Sequence, residues 1–210
     1  MYNKCLCGVC VVSSIFFLLL CIPALADGNE ERGIAMPDFI IFDVLCADDN
    51  TFYVWGTNGG RRGVLLIKAD RQEEPVYVSV SEQTQGLVFD QWISAAPDGQ
   101  ILVLGYDASG TYHVVFLSRE GIVKRVLPLP ENAHPVFVTG EGIFLVYHQY
   151  APNAKLELVP DASKLYFIDF GGNILWTRDT KGVFPSKCIE VEDGYIIGGG
   201  FFTEDEEWHV

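Results

Sequence analysis

The triplet Asp169-Phe170-Gly171 has a chemical precedent, because the same three residues hold catalytic magnesium in protein kinases. A kinase also needs a glycine-rich loop over the phosphates, a paired lysine and a catalytic-loop aspartate, and the sequence offers none of these in a suitable context. The triplet ends an apolar run and leads into Gly171-Gly172, which is the composition of a hairpin turn. The sequence therefore predicts a turn here and not a phosphoryl-transfer site.

Side chains that could bind metal are present, but their spacing does not match known metal sites. The histidines are scattered, at His113, His134, His148 and His209. Asp48-Asp49-Asn50 lacks the alternating oxygen ligands and the distal glutamate of a calcium loop, so a polar turn is predicted. Glu204-Asp205-Glu206-Glu207 is predicted to be a solvated hairpin tip, with weak calcium binding as the alternative. No catalytic, cofactor-binding or metal-binding residue and no cofactor is therefore assigned.

A cluster of glycines at Gly198-Gly199-Gly200 could cradle a phosphate only at the start of a helix. Here the glycines follow Tyr195-Ile196-Ile197, in the place where earlier parts of the chain read Val54-Trp55-Gly56 and Val103-Leu104-Gly105. Glycine late in a strand allows close approach or bending. A structural role is therefore favoured over phosphate binding.

Aromatic residues are abundant, with 4 Trp, 9 Tyr and 14 Phe in the chain. Six of them could line a carbohydrate-binding or peptide-binding surface: Trp55, Trp92, Trp176, Trp208, Tyr147 and Tyr150. The alternative is that these large flat side chains pack between stacked sheets. The packing interpretation is favoured.

The first 26 residues have the pattern of a cleaved secretory signal. Lys4 is the only charged residue before Asp27, an apolar run follows over 11–22, and Pro23-Ala24-Leu25-Ala26 provides a small-residue exit. The run is shorter than the ~20 residues that a spanning helix needs. The sequence predicts a signal peptide (1–26), a linker (27–37), export from the cytoplasm and no membrane span after cleavage.

Acidic residues outnumber basic ones by 28 to 14 in the whole chain, which gives a net charge of −14. Removal of residues 1–26 takes away only Lys4, leaving 13 basic and 28 acidic residues and a charge of −15. Such a balance argues against nucleic acid and against anionic membrane surfaces. A protein or glycan partner stays open.

From residue 38 onward the chain repeats a four-strand pattern. In the second copy (93–129), strands are separated by Pro97-Asp98-Gly99, by a turn at 107–110 and by Arg119-Glu120-Gly121. The third strands of the first three copies carry apolar residues 50 and 51 positions apart, namely Ile67, Leu117 and Ile168. A repeat of this length with four strands predicts propeller blades. We expect an all-β, incomplete β-propeller of about three and a half blades over residues 38–210.

Two segments carry a family resemblance. Residues 192–199 (EDGYIIGG) and 167–176 (FIDFGGNILW) resemble the roughly 50-residue repeats of secreted bacterial β-propellers, with their D-G-G-Y strand and L-D-x-x-G-N-x-x-W hairpin. Residues 98–105 and 115–123 match these repeats more loosely. The repeat pattern is also similar to the strand-turn-Trp element of quinoprotein-like propellers. The resemblance implies a binding or scaffolding module, with an extracytoplasmic enzyme, quinoprotein-like or glycan-active, as the alternative; no catalytic residue carries over. Aromatic residues buried between blades would favour the module, and an acidic and aromatic pocket at one rim would favour the enzyme.

Two cysteines remain after residue 26. Cys46 and Cys188 both fall in first strands, three blades apart, and a disulfide needs Cα atoms within about 7 Å. We therefore expect two buried thiols unless the ring is very small. Leu117, Phe167 and Ile168 are predicted to lie inside the sheets.

The last residues, Trp208-His209-Val210, match only the first half of the third strand that begins Tyr112-His113-Val114. This pattern predicts either a piece of a longer propeller, which is favoured, or a ring completed by a second copy or another protein. Open blade edges are prone to self-association.

Overall fold

The computed structural model describes residues 39–48, 51–68, 75–130, 132–152, 158–180, 184–202 and 208–209. All of them belong to one compact unit, Asp38–Val210. Within these residues the regular secondary structure is β-strand alone, so the all-β prediction is confirmed. The predicted signal peptide (1–26), the linker (27–37), Asp49-Asn50 and Glu204-Asp205-Glu206-Glu207 lie outside the described residues.

The strands form antiparallel sheets, called blades 1 to 4 below, in which each strand pairs with its neighbours in sequence. Blade 1 contains β1 (Phe39–Asp48), β2 (Thr51–Asn58), β3 (Arg61–Lys68) and β4 (Val76–Ser79). Blade 2 contains β5 (Val88–Ala95), β6 (Ile101–Tyr106), β7 (Tyr112–Leu117) and β8 (Val123–Pro128). Blade 3 contains β9 (Ala133–Val138), β10 (Ile143–Pro152), β11 (Leu158–Ile168) and β12 (Ile174–Asp179). Blade 4 contains, within the described residues, β13 (Phe184–Val191), β14 (Gly194–Phe202) and β15 (Trp208–His209).

Three four-stranded blades and a three-stranded fourth blade confirm the predicted propeller-like architecture. Two hairpins are longer than the sequence predicts. β5 begins at Val88 rather than at Ile93, because its first residues pair with the end of β6. β10 continues to Pro152 and β11 begins at Leu158, because their pairing resumes after an irregularity near Tyr150.

The hydrophobic core lies between the blades. Side chains in a strand point alternately to its two faces. In β6, Ile101 and Val103 pack in a cluster with Trp55 of blade 1, whereas Leu102 and Leu104 pack in a second cluster shared with blade 3. A third cluster joins blades 3 and 4. The middle blades are therefore buried on both faces, which explains their nearly continuous apolar runs.

The three residues predicted for the sheet interiors confirm this arrangement. Leu117 is buried in the first cluster, Ile168 in the second and Phe167 in the third. The repeat spacing in the sequence therefore identifies true core positions.

Cys46 and Cys188 are thiols in the structure, but the prediction that both are buried is wrong. Cys46 is exposed, because within the described residues no blade packs against the face of β1 that carries Val44 and Cys46. Cys188 is half-buried against the cluster between blades 3 and 4. Burial depends on the neighbouring blade, which the local pattern of a first strand does not specify.

Candidate functional site

Asp169 lies in the turn between β11 and β12, and its carboxylate is occupied by that turn. Its N–H donates to the Asn173 carbonyl (3.0 Å), and the Gly172 N–H donates back to the Asp169 carbonyl (3.0 Å). The Asn173 side chain and backbone N–H each donate to the carboxylate at 2.8 Å. Hydrogen bonds from the Asn173 side chain, then from its backbone, hold the pKa of Asp169 below its usual range. Gly172 has φ +92°, which a residue with a side chain rarely adopts.

The same turn recurs in blade 2. The Asp107 N–H donates to the Thr111 carbonyl (3.0 Å) and the Gly110 N–H to the Asp107 carbonyl (2.9 Å). Ser118 begins a third turn with the same pair of hydrogen bonds. The hairpin prediction for Asp169-Phe170-Gly171 is confirmed, because the triplet is one sequence variant of a repeated turn.

The described aromatic side chains lie mostly between blades. Trp55 is fully buried, meets the Phe89 ring edge to face with centroids 5.6 Å apart, and donates its Nε1–H to the Asp90 carbonyl (2.8 Å). Trp92 and Tyr147 pack against the cluster between blades 2 and 3, and Trp176 packs against the next one. The packing interpretation is therefore right for these four; the side chains of Tyr150 and Trp208 lie outside the described residues.

The glycines at 198–200 lie within β14, where they pair with residues of β13. They do not begin a helix, so the strand interpretation of this cluster is confirmed.

Among the described residues, no three His, Cys, Asp or Glu side chains are arranged to hold a metal ion. In the same part of the chain, no helix is long and apolar enough to cross a membrane.

A bulge in β5 creates the most distinctive local geometry. Phe89 pairs with Gly105 and Ile93 with Val103, so Asp90-Gln91-Trp92 stands opposite Leu104 alone. Asp90 and Gln91 are exposed, and the Gln91 N–H donates to the Asp90 carboxylate (2.7 Å). The Trp55 indole holds the Asp90 carbonyl from blade 1. Bulges of this kind re-aim side chains out of the regular ladder.

The charge of Asp90 acts on one basic side chain in each neighbouring blade, Arg62 of blade 1 and His134 of blade 3. Arg62 of blade 1 places its Cζ 3.6 Å from the centroid of the Phe42 ring, and its Nη1 is buried without a hydrogen-bond partner. Burial lowers the pKa of Arg62, and the charge of Asp90 opposes that shift. Burial likewise lowers the pKa of His134 in blade 3, again opposed by Asp90. The negative charge of Asp90 therefore favours the protonated forms of both Arg62 and His134.

Two tyrosines complete this group. The rings of Tyr106 and Tyr112 lie 5.9 Å apart between centroids, and Tyr112 lies 6.2 Å from the His134 ring. We call Arg62, Asp90, Tyr106, Tyr112 and His134 the Asp90 site. All five lie at the end of the blades where the second strand ends and the third begins.

A separate groove of about 480 Å³ lies at the same end of blade 1. Its lining residues are Asn58, Gly59, Arg61, Tyr77, Ser79 and Glu82. Arg61 and Glu82 form an exposed ion pair, and the Tyr77 hydroxyl donates to the Arg61 carbonyl (2.6 Å). Both side chains are more than half exposed, so both charges stay accessible, and surface ion pairs of this kind contribute little stability.

His134 is the one member of the Asp90 site that the sequence offers as a possible metal ligand, and its spacing from the other histidines argues against that role. The site's only other local signal is the segment VFDQW before the predicted start of β5, where Asp90 and Gln91 interrupt an apolar run. The other members become neighbours only when three blades pack together.

No protein-family model matches the chain, and no curated protein matches it. A crystal structure of a protein of unknown function from Bacteroides caccae is similar over 82% of this chain, with a TM-score of 0.46 and 12% sequence identity. The chain spans 60% of that protein's length.

Proposed function

We propose that this chain is an exported, propeller-like binding module that holds a glycan at the Asp90 site. Export is proposed from the signal pattern of residues 1–26. The observation that supports the site is the exposure of Asp90 on the β5 bulge, where its charge acts on Arg62 of blade 1 and His134 of blade 3.

The chemistry of the site suits a polar ligand with apolar faces. The Asp90 carboxylate accepts hydrogen bonds, as sugar hydroxyls require, and charge-assisted bonds of this type are the stronger ones. The ring of Tyr106, which is 36% exposed beside Tyr112, offers a surface against which a sugar can stack. A few convergent polar groups beside aromatic rings are typical of ligand sites.

An extracytoplasmic enzyme is the alternative. Glycoside hydrolysis commonly uses a pair of carboxylates, and Asp90 is the only acidic member of the Asp90 site. The burial of Trp55 and the packing of Trp92, Tyr147 and Trp176 between blades also support the module over the enzyme. Incubation of the purified chain with the oligosaccharides that it binds, followed by product analysis, distinguishes the binding module from the enzyme. Cleavage of an oligosaccharide would establish the enzyme.

The test is an array of neutral and acidic oligosaccharides probed with the purified chain. We expect Asp90→Asn to weaken binding roughly tenfold or more, because a hydrogen bond to a charged group is lost. Glu192→Gln, at an exposed turn at the opposite end of the blades, is the matched control and should bind as the wild type does. An array without any bound oligosaccharide contradicts the glycan proposal, and undiminished binding by Asp90→Asn contradicts the site.

A further inference from the structure

One position of the second strand differs in exposure between the last blade and the first three. Tyr53, Leu102 and Phe144 occupy it in blades 1 to 3, where each points toward the following blade. Their side chains are 3%, 0% and 0% exposed. Ile196 occupies the same position in blade 4 and is 59% exposed.

Ile196 belongs to a larger apolar surface on the side of blade 4 that faces away from blade 3. Its cross-strand partner Ile189 is 62% exposed, and Val191 is 41% exposed on the same face. The opposite face of blade 4 carries Tyr195 and Ile197, which pack against blade 3. Blade 4 is therefore apolar on both faces, as the middle blades are, although within the described residues a blade covers only one of them. We call Ile189, Val191 and Ile196 the outer face of blade 4.

The three junctions within the chain indicate what fits such a face. At each junction the following blade's first strand contributes covering side chains, such as Phe89 of β5 on Trp55. Its second strand also contributes, as Tyr195 of β14 does on Phe144, and third-strand residues such as Leu117 and Ile168 add to the first two junctions. An occupant of the outer face of blade 4 must therefore present the apolar side of a first strand.

Blade 1 presents such a side within the described residues. Val44 of β1 occupies the place that Ile93 occupies in β5, since both pair with the equivalent residue of the second strand. Ile93 is 7% exposed beneath blade 1, whereas Val44 is 47% exposed. Ile41, on the same face, is also exposed. Val54 and Leu65, deeper on that face, are already buried, so β1 itself offers the contact.

We infer that the outer face of blade 4 binds the β1 face of blade 1 in a second copy of this chain. Each copy carries both faces, so two copies can form two identical junctions about a twofold axis. This inference is independent of the glycan proposal.

The test is the molar mass of the purified chain by light scattering across a range of micromolar concentrations. We expect the mass of two copies for the wild type and of one copy for Ile189→Asp and Ile196→Asp, because a charge in an apolar junction is strongly unfavourable. Ile174→Asp is the matched control: Ile174 is exposed on β12, the outermost strand of blade 3, so this variant should keep the mass of two copies. Circular dichroism establishes that each variant is folded.

A wild-type mass of one copy at all concentrations overturns the inference. So does a mass that keeps growing with concentration, because open-ended association is not a closed pair. Folded Ile189→Asp and Ile196→Asp variants that retain the mass of two copies place the contact elsewhere and overturn it as well. Asp90→Asn should leave the mass unchanged, which keeps this result separate from the glycan test.

Discussion

Blades 3 and 4 share one strand pattern but have different surroundings. Blade 3 lies between two blades, and its β10 residues Phe144 and Leu145 are buried on opposite faces. In blade 4 the equivalent residues are Ile196, which is exposed, and Ile197, which packs against blade 3. A strand with apolar side chains on both sides can pack between two blades. Whether both sides are buried depends on which blades lie beside it.

The largest expected difference is between the losses of unfolding free energy caused by alanine substitution of Phe144 and of Ile196. Phe144→Ala should lower the free energy of unfolding by about 3–5 kcal/mol, because it empties a fully buried site between blades. Ile196→Ala in a monomeric background such as Ile189→Asp should change it by no more than about 0.5 kcal/mol. Urea unfolding followed by tryptophan fluorescence measures both. Equal losses would mean that the outer face of blade 4 is covered within one copy.

A second comparison lies within blade 3, between the core and the adjacent turn. Ile168→Ala should cost about 2–5 kcal/mol, since Ile168 is buried in the cluster between blades 2 and 3. Asp169→Ala removes only hydrogen bonds of an exposed turn and should cost less. Isothermal titration with ATP and magnesium should give no saturable heat for either protein. ATP binding that disappears in Asp169→Ala would contradict the turn assignment.

A smaller effect is expected from His134 as the pH falls. Burial lowers its pKa in the folded state, so the unfolded chain binds the proton more readily. The stability contributed by neutral His134 is present above the unfolded pKa of about 6.5 and is lost as the pH falls below it. Asp90→Asn removes the charge that opposes the shift and should steepen the loss, whereas His134→Gln should flatten it. Urea midpoints between about pH 7.5 and pH 5.5 give the comparison.

The smallest expected effect is a difference in the rate at which the two thiols are chemically modified, and it involves no change in the stability of the protein. Cys46 is exposed on β1, whereas Cys188 is half-buried, and burial followed by the charge of Glu190 raises the pKa of the Cys188 thiol. In dilute folded protein, a maleimide should therefore modify Cys46 faster than Cys188. In denaturant it should modify both cysteines, and intact-mass measurement records each addition. Cys46 lies on the β1 face, so its modification should slow as the protein concentration increases. A mass without added label in denaturant would mean a disulfide.

The sequence predicts the strand order and the turns because both depend on local chemistry. Glycine at a positive φ closes the turns at Gly110, Gly121 and Gly172, and alternating apolar residues define the strands between them. The spacing of Leu117 and Ile168 predicts core positions correctly, since equivalent positions of successive blades meet equivalent neighbours.

Other features depend on contacts between blades and are not visible in one segment. The β5 bulge follows from pairing with β6 on either side of Asp90, and the sequence alone leaves that register open. The exposure of Cys46 likewise reflects the absence of a covering blade within the described residues. Arg62 and His134, far apart in sequence, become neighbours of Asp90 only through packing.

The pairing of each strand with its sequence neighbours has a consequence for folding kinetics. Hairpins of this type close on a timescale of roughly 1–10 μs, whereas contacts between distant residues form more slowly. We therefore expect each sheet to form its hydrogen bonds as soon as its own residues are available, and the junctions to follow in order from the first blade. Pulse-labelling hydrogen exchange during refolding should detect protected amides in β6 and β7 before Trp55 is shielded from quenchers. A chain of this design can be assembled progressively as it emerges from a ribosome.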